Sequence, residues 1–87
     1  MPVIWIPPLM RDLTAGEEQV AVPGDTLRQA LDELETRHPG LKARLIRDEQ
    51  LRPDFSVVVD GYISHLKLRQ PLSEKSEVHL LPAFSGG

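Results

Sequence analysis

Pro23-Gly24-Asp25-Thr26-Leu27-Arg28-Gln29-Ala30-Leu31-Asp32-Glu33-Leu34 is the stretch on which the fold turns. Pro-Gly-Asp supplies turn chemistry, with proline presetting φ and glycine tolerating positive φ. Thr26-x-x-Gln29 then fits a capping box: the Thr26 hydroxyl accepts from the Gln29 amide while the Gln29 side chain reaches back. Leu27, Ala30, Leu31 and Leu34 follow at i, i+3, i+4 and i+7, one apolar stripe. Arg28, Asp32, Glu33, Glu35 and Arg37 cover the opposite side. His38-Pro39-Gly40 closes the helix, because the residue before proline is pushed out of the α region. A helix with one stripe can cover one face of one sheet.

Upstream, residues 2–7 (Pro-Val-Ile-Trp-Ile-Pro) are β-branched and aromatic and read as a strand that Pro7-Pro8 stops. Residues 9–16 read as a loop, and Glu17–Val22 as a second strand pairing back antiparallel. Downstream, residues 41–47 read as a short helix or 3₁₀ turn with Leu41 and Leu45 inward, and Asp48–Asp54 as loop. Phe55–Val59 is a strand, and Asp60-Gly61 is a hairpin turn returning Tyr62-Ile63 as an edge strand. Lys67–Ser76 reads as loop with Leu72 a core plug, and Glu77–Leu81 is the last strand. The order is β-β-α-(short helix)-β-β-β, an α+β architecture. Alternation sends Ile4, Ile6, Val20, Val57, Val59, Val78 and Leu80 towards the helix. Trp5, Val58, His79 and Leu81 then share the bare face. That face is either covered by long neighbouring Arg or Lys side chains or used to dock a partner.

Composition narrows the chemistry. The 87 residues are 40% hydrophobic and 26% charged, with a formal charge of −3. This fits one soluble domain that buries about 60–65% of its unfolded surface. Ten Lys and Arg against thirteen Asp and Glu, with no basic stripe, point away from nucleic acid. Cysteine is absent, which excludes a disulfide, a thiol nucleophile and a thiolate metal site. No apolar stretch is long enough for a transmembrane span and no secretory leader is visible, so the expected location is cytoplasmic, without membrane contact. His38, His65 and His79 lack ligand spacing, so no metal is expected. Glu17-Glu18 and Glu33 with Glu35 read as solvated faces, and no nucleophile constellation is present, so the chain is not expected to be an enzyme itself.

Ala83-Phe84-Ser85-Gly86-Gly87 follows the last strand. Two glycines end about one chain in 200 by chance, so the pair gains meaning only from what precedes it. The reading divides the chain into a domain over 1–82 and a flexible tail over 83–87. Pro82 helps end the strand and aim the tail. Phe84 either folds back on the domain or fills a pocket on a partner. Ser85 and Gly86 are small enough to follow Gly87 into a narrow channel.

The helix entry Pro23–Leu27, the strand and turn Val57-Val58-Val59-Asp60-Gly61, and the run Val78–Gly87 together resemble the ubiquitin-like β-grasp fold. More narrowly they resemble its sulfur carriers of the MoaD, ThiS and CysO type. Ile6–Arg11 with Leu13–Gly16 resembles the CysO-type subgroup more than the molybdopterin one. Glu74-Lys75-Ser76 departs from the family's Asp-Gly-Asp-type turn without touching a functional residue. The resemblance implies a mixed four- to five-stranded sheet with one main helix on one face. It implies that the Gly87 carboxylate is adenylated by an ATP-dependent, E1-like activating enzyme and converted to a thiocarboxylate. A sulfur donor and a sulfur-accepting biosynthetic enzyme complete the partners; the carrier binds no cofactor, and ATP belongs to the activator. The acceptor could be cysteine, molybdopterin, thiamine, thiolated tRNA or a secondary metabolite, with the opening segment tilting towards cysteine. The same features fit two alternatives: a protein modifier conjugated through Gly87, or a non-catalytic subunit of a molybdopterin-synthase-type complex. Partner contacts are expected at Gly86, Ser85, Phe84, Pro82, Leu81, His79, Val58 and Trp5.

Overall fold

The structure, a computed structural model, describes residues 1–82. Five strands form one mixed sheet: β1 Val3–Trp5, β2 Gln19–Ala21, β5 Phe55–Val59, β6 Tyr62–Ile63 and β7 Glu77–Pro82. Their order is β2-β1-β7-β5-β6. β7 runs parallel to β1 and antiparallel to β5, so the last strand is the central one. Two further strands, β3 Ile46–Arg47 and β4 Gln50–Leu51, form a separate small hairpin.

Helix α1 spans Leu27–Arg37 and packs its stripe of Leu27, Ala30, Leu31 and Leu34 into the core. The capping box forms with one shift. Gln29 donates its backbone N–H to Thr26 Oγ1 at 3.3 Å, but its side chain accepts from the Asp25 amide at 2.8 Å, one residue before the cap. Gly24 makes this seating possible, since a Cβ there would lie 2.7 Å from the Ala30 backbone nitrogen. The short helix α2, Leu41–Leu45, follows at once. No capping side chain stands at Gly40; instead the Glu35 carboxylate of α1 accepts from the Gly40 amide at 3.0 Å and the Lys42 amide at 2.8 Å. The Lys42 amide, then the Gly40 amide, hold the Glu35 pKa below its ordinary 4.5, with the Lys42 charge adding to them and partial burial opposing.

All seven strand residues assigned inward by alternation are buried: Ile4, Ile6, Val20, Val57, Val59, Val78 and Leu80. Leu72 is buried as expected, and its amide donates to the Asp25 carbonyl at 2.8 Å, lacing the segment before β7 to the helix entry.

Three segments expected as plain loop carry structure. Pro8–Thr14 is a 3₁₀ helix that buries Met10 and Thr14. Pro8, with φ already near the helical value, starts it, and the buried Thr14 hydroxyl donates to the Glu17 carbonyl at 2.8 Å. Within 48–54, Asp48 and Glu49 both adopt positive φ, the geometry of a tight two-residue hairpin turn joining β3 to β4. Lys67–Arg69 is a 3₁₀ turn whose Leu68 enters the core. Short chains of this kind fold around one or two buried side chains, a signal too brief for periodicity to reveal.

Candidate functional site

The outer face of the sheet is organised by register. Trp5 pairs with Gln19 on one side and His79 on the other, His79 pairs with Val58, and Val58 with Ile63. One transverse row therefore crosses all five strands, apolar or aromatic from Trp5 to Ile63. The Trp5 and His79 rings stack with centroids 4.9 Å apart and planes 13° from parallel, so each covers part of the other. Trp5 Nε1 donates to Glu77 Oε1 at 3.1 Å, which fixes the indole's orientation. Trp5, Val58 and His79 are half-buried, whereas Leu81 is 48% exposed and Ile63 67%.

The structure thus brings Trp5, Val58, His79 and Leu81 onto one surface. Pro82 ends β7 opposite Phe55, half-buried, at the upper end of that surface. A shallow hollow of about 120 Å³ opens beside it, walled by Trp5, Pro7, Pro8, Arg11, Leu81 and Pro82. Arg11 is held in place there, its Nε donating to the Ile6 carbonyl at 3.1 Å and its Nη1 3.3 Å from Glu18 Oε1. Phe84, Ser85, Gly86 and Gly87 lie outside the described residues.

Two contributors escaped the sequence reading. Ile63 extends the apolar row by one strand, and its place was available: a two-residue turn at Asp60-Gly61 sets Val59 opposite Tyr62 and Val58 opposite Ile63. Arg11 had no such signal, because its position depends on the 3₁₀ turn after Pro8. Among the described residues no three His, Asp or Glu side chains converge as a metal site, and no helix is long and apolar enough to cross a membrane. What the surface can do chemically is bind. It offers a flat apolar row with one imidazole, at the root of the chain's last five residues.

Comparison with known proteins places this surface in context. The profile of the ThiS family matches residues 5–87. The sulfur carrier protein CysO of Mycobacterium tuberculosis is 28% identical over 90 residues, covering 97% of this chain and 96% of that protein. A chain in the crystal structure of the Amycolatopsis orientalis BexX/CysO complex superposes with a TM-score of 0.92 at 31% identity, covering both chains completely. Small archaeal modifier protein 1 of Haloferax volcanii has a TM-score of 0.75 at 26% identity, with 95% of this chain and 97% of that one covered. The fold is accordingly the ubiquitin-like β-grasp, with a mixed five-stranded sheet and one main helix.

Proposed function

The chain belongs to the ThiS family, and on that premise we propose that it is a sulfur carrier whose reacting group is the α-carboxylate of Gly87. The observation that carries this reading is the family match running through Gly86-Gly87, directly beyond the central strand β7. A free α-carboxyl group has a pKa of about 3.5, so near neutrality it is an anion and a poor electrophile. An activating enzyme joins it to the α-phosphate of ATP, releasing pyrophosphate and leaving a mixed anhydride. Sulfide then attacks the acyl carbon: the C–S bond forms, the C–O bond to AMP breaks, and a thiocarboxylate remains. The carrier holds no cofactor and performs none of this catalysis. Its part is to present the tail and to fit the partner.

In this reading Trp5, Val58, His79, Leu81 and Ile63 dock on the activating enzyme, while Pro82 sets the tail's departure and Phe84 anchors it. Ser85 and Gly86 follow Gly87 into the active site. The co-crystallised BexX/CysO pair supports a protein partner, without fixing that partner's role. Dependence on ATP and on diffusible partners places the carrier in the cytoplasm. The whole-chain similarity to CysO favours cysteine synthesis as the sulfur's destination. The test is to incubate the full chain with ATP, sulfide and the activating enzyme of its own genome, and weigh the C-terminal peptide. The gain expected is one oxygen-for-sulfur exchange; an unmodified peptide under conditions where the enzyme consumes ATP overturns the proposal.

A second reading rests on the similarity to the archaeal modifier protein. There the adenylated Gly87 passes to target lysines as an isopeptide. Higher-mass adducts in cells that vanish on deletion of Gly87 would favour it over the carrier.

A further inference from the structure

The ten lysines and arginines look scattered along the chain, yet the fold gathers three of them. Between the start of α1, the β3–β4 hairpin and the turn 65–69 lies a groove of about 540 Å³. Arg28, Lys67 and Arg69 line it together with His65, and Glu49 is the one carboxylate residue in the lining. We propose that this groove is a second docking site, taking an acidic segment of a partner protein.

Charge carries the argument. The protein's net charge is −3, yet this cleft sets three cationic side chains against a single carboxylate residue. The ion pairs among the described residues use Arg11, Lys42, Arg44, Arg52 and the N-terminus. None uses Arg28, Lys67 or Arg69. Like charges lining a cleft reinforce one another's field and draw in a segment of opposite sign.

The groove is also preformed. Arg28 Nη2 donates to the Glu49 carbonyl at 3.2 Å, tying helix to hairpin. Lys67 sits at φ +53°, a left-handed backbone that a lysine rarely adopts and that marks positions constrained by more than local preference. Leu66, 45% exposed, stands in the lining beside the cations, above buried Leu51 and Leu68. Cations around an apolar patch suit a peptide carrying carboxylates and an apolar side chain. A single-stranded nucleic acid would instead need aromatic stacking platforms, and the lining has no Phe, Tyr or Trp.

The site is built from α1, the β3–β4 hairpin and the 65–69 turn, and it shares no lining residue with the transverse row on the outer sheet face. It goes beyond the sulfur-carrier reading and requires nothing of the tail. The probe is a fluorescein-labelled peptide of alternating glutamate and leucine, its anisotropy followed against the full chain. Saturable binding is expected, lost when salt shortens the Debye length to about 3 Å. Lys67→Glu with Arg69→Glu should weaken it at least about tenfold. Arg37→Glu with Lys75→Glu, the same charge change outside the groove, and Leu81→Glu on the sheet face should leave it intact. Lys67→Gly suits the left-handed backbone and removes the charge, so a reduced affinity in that variant holds even if the double variant unfolds. Equal losses in both double variants would reduce the effect to net charge and overturn the site. Binding of pyrophosphate without binding of the peptide would overturn the proposed occupant.

Discussion

Along β7, Val78 and Leu80 point one way, His79 and Leu81 the other, and the two pairs meet opposite fates. Val78 and Leu80 are sealed under α1, while Leu81 remains 48% exposed. Across the sheet the contrast repeats, with Ile4, Val57 and Val59 beneath the helix and Trp5, Val58 and Ile63 on the opposite face of the sheet. The outer face mixes its Val, Ile and Leu with Gln19, Ser56 and Glu77, but side-chain type alone does not separate Val57 from Val58. The single apolar stripe of α1 does: one helix covers one face. The inner face therefore holds the chain together, and the outer face keeps its row from Trp5 to Ile63 uncovered by the helix.

The contrast is broken most readily from the inside. Ile4→Ala or Leu31→Ala should cost about 2–5 kcal/mol, a fall in Tm of at least about 8 °C in a domain of this size. Leu81→Ala and Ile63→Ala should stay within about 0.5 kcal/mol in urea titrations. Comparable losses on both faces would mean that the outer row belongs to the core. Next comes a charge on the outer face. Leu81→Glu should leave stability within about 1 kcal/mol of the parent yet weaken binding of the proposed activating enzyme by about 2 kcal/mol in calorimetry.

The helix seat gives a smaller effect and sharpens the division. Gly24→Ala pushes a methyl group to 2.7 Å from the Ala30 nitrogen and should cost about 1–3 kcal/mol of stability without altering partner affinity. Glu35→Gln, on neither face, should have the smallest effect, about 1 kcal/mol at neutral pH after allowance for solvent screening. Its folded pKa lies below 4.5, so the carboxylate's contribution is complete above 4.5 and fades as pH falls through the lower folded value. The difference between parent and variant should accordingly shrink in urea titrations taken well below pH 4.5.

The elements that sequence makes legible are those whose rule is local and repeated. Leu27, Ala30, Leu31 and Leu34 repeat a helical period, and the alternating strands place their inward residues without knowledge of the partner strand. Trp5, Val58, His79 and Leu81 could be set on one face by the same alternation. What alternation lacks is register, so neither the Trp5–His79 stack nor the row ending at Ile63 could be assembled beforehand. The hairpin at 46–51 was illegible because Asp48-Glu49 lacks the glycine that advertises a positive-φ turn. The cationic groove was illegible because Arg28 and Lys67 lie far apart in the sequence and share it only once the 67–69 turn packs on α1.

The central place of β7 has a bearing on how the molecule is made. The β1–β2 ribbon and the β5–β6 ribbon have no sheet contact with each other except through it. Its pairing of Val3 with Glu77 joins the start of the first strand to the start of the last. Until β7 leaves the ribosome the two ribbons stay unjoined, and such long-range closure comes late in folding. A chain cut off before β7 can show a partner neither the transverse row nor the end that follows it. Presentation of the terminus is thereby tied to completion of the fold.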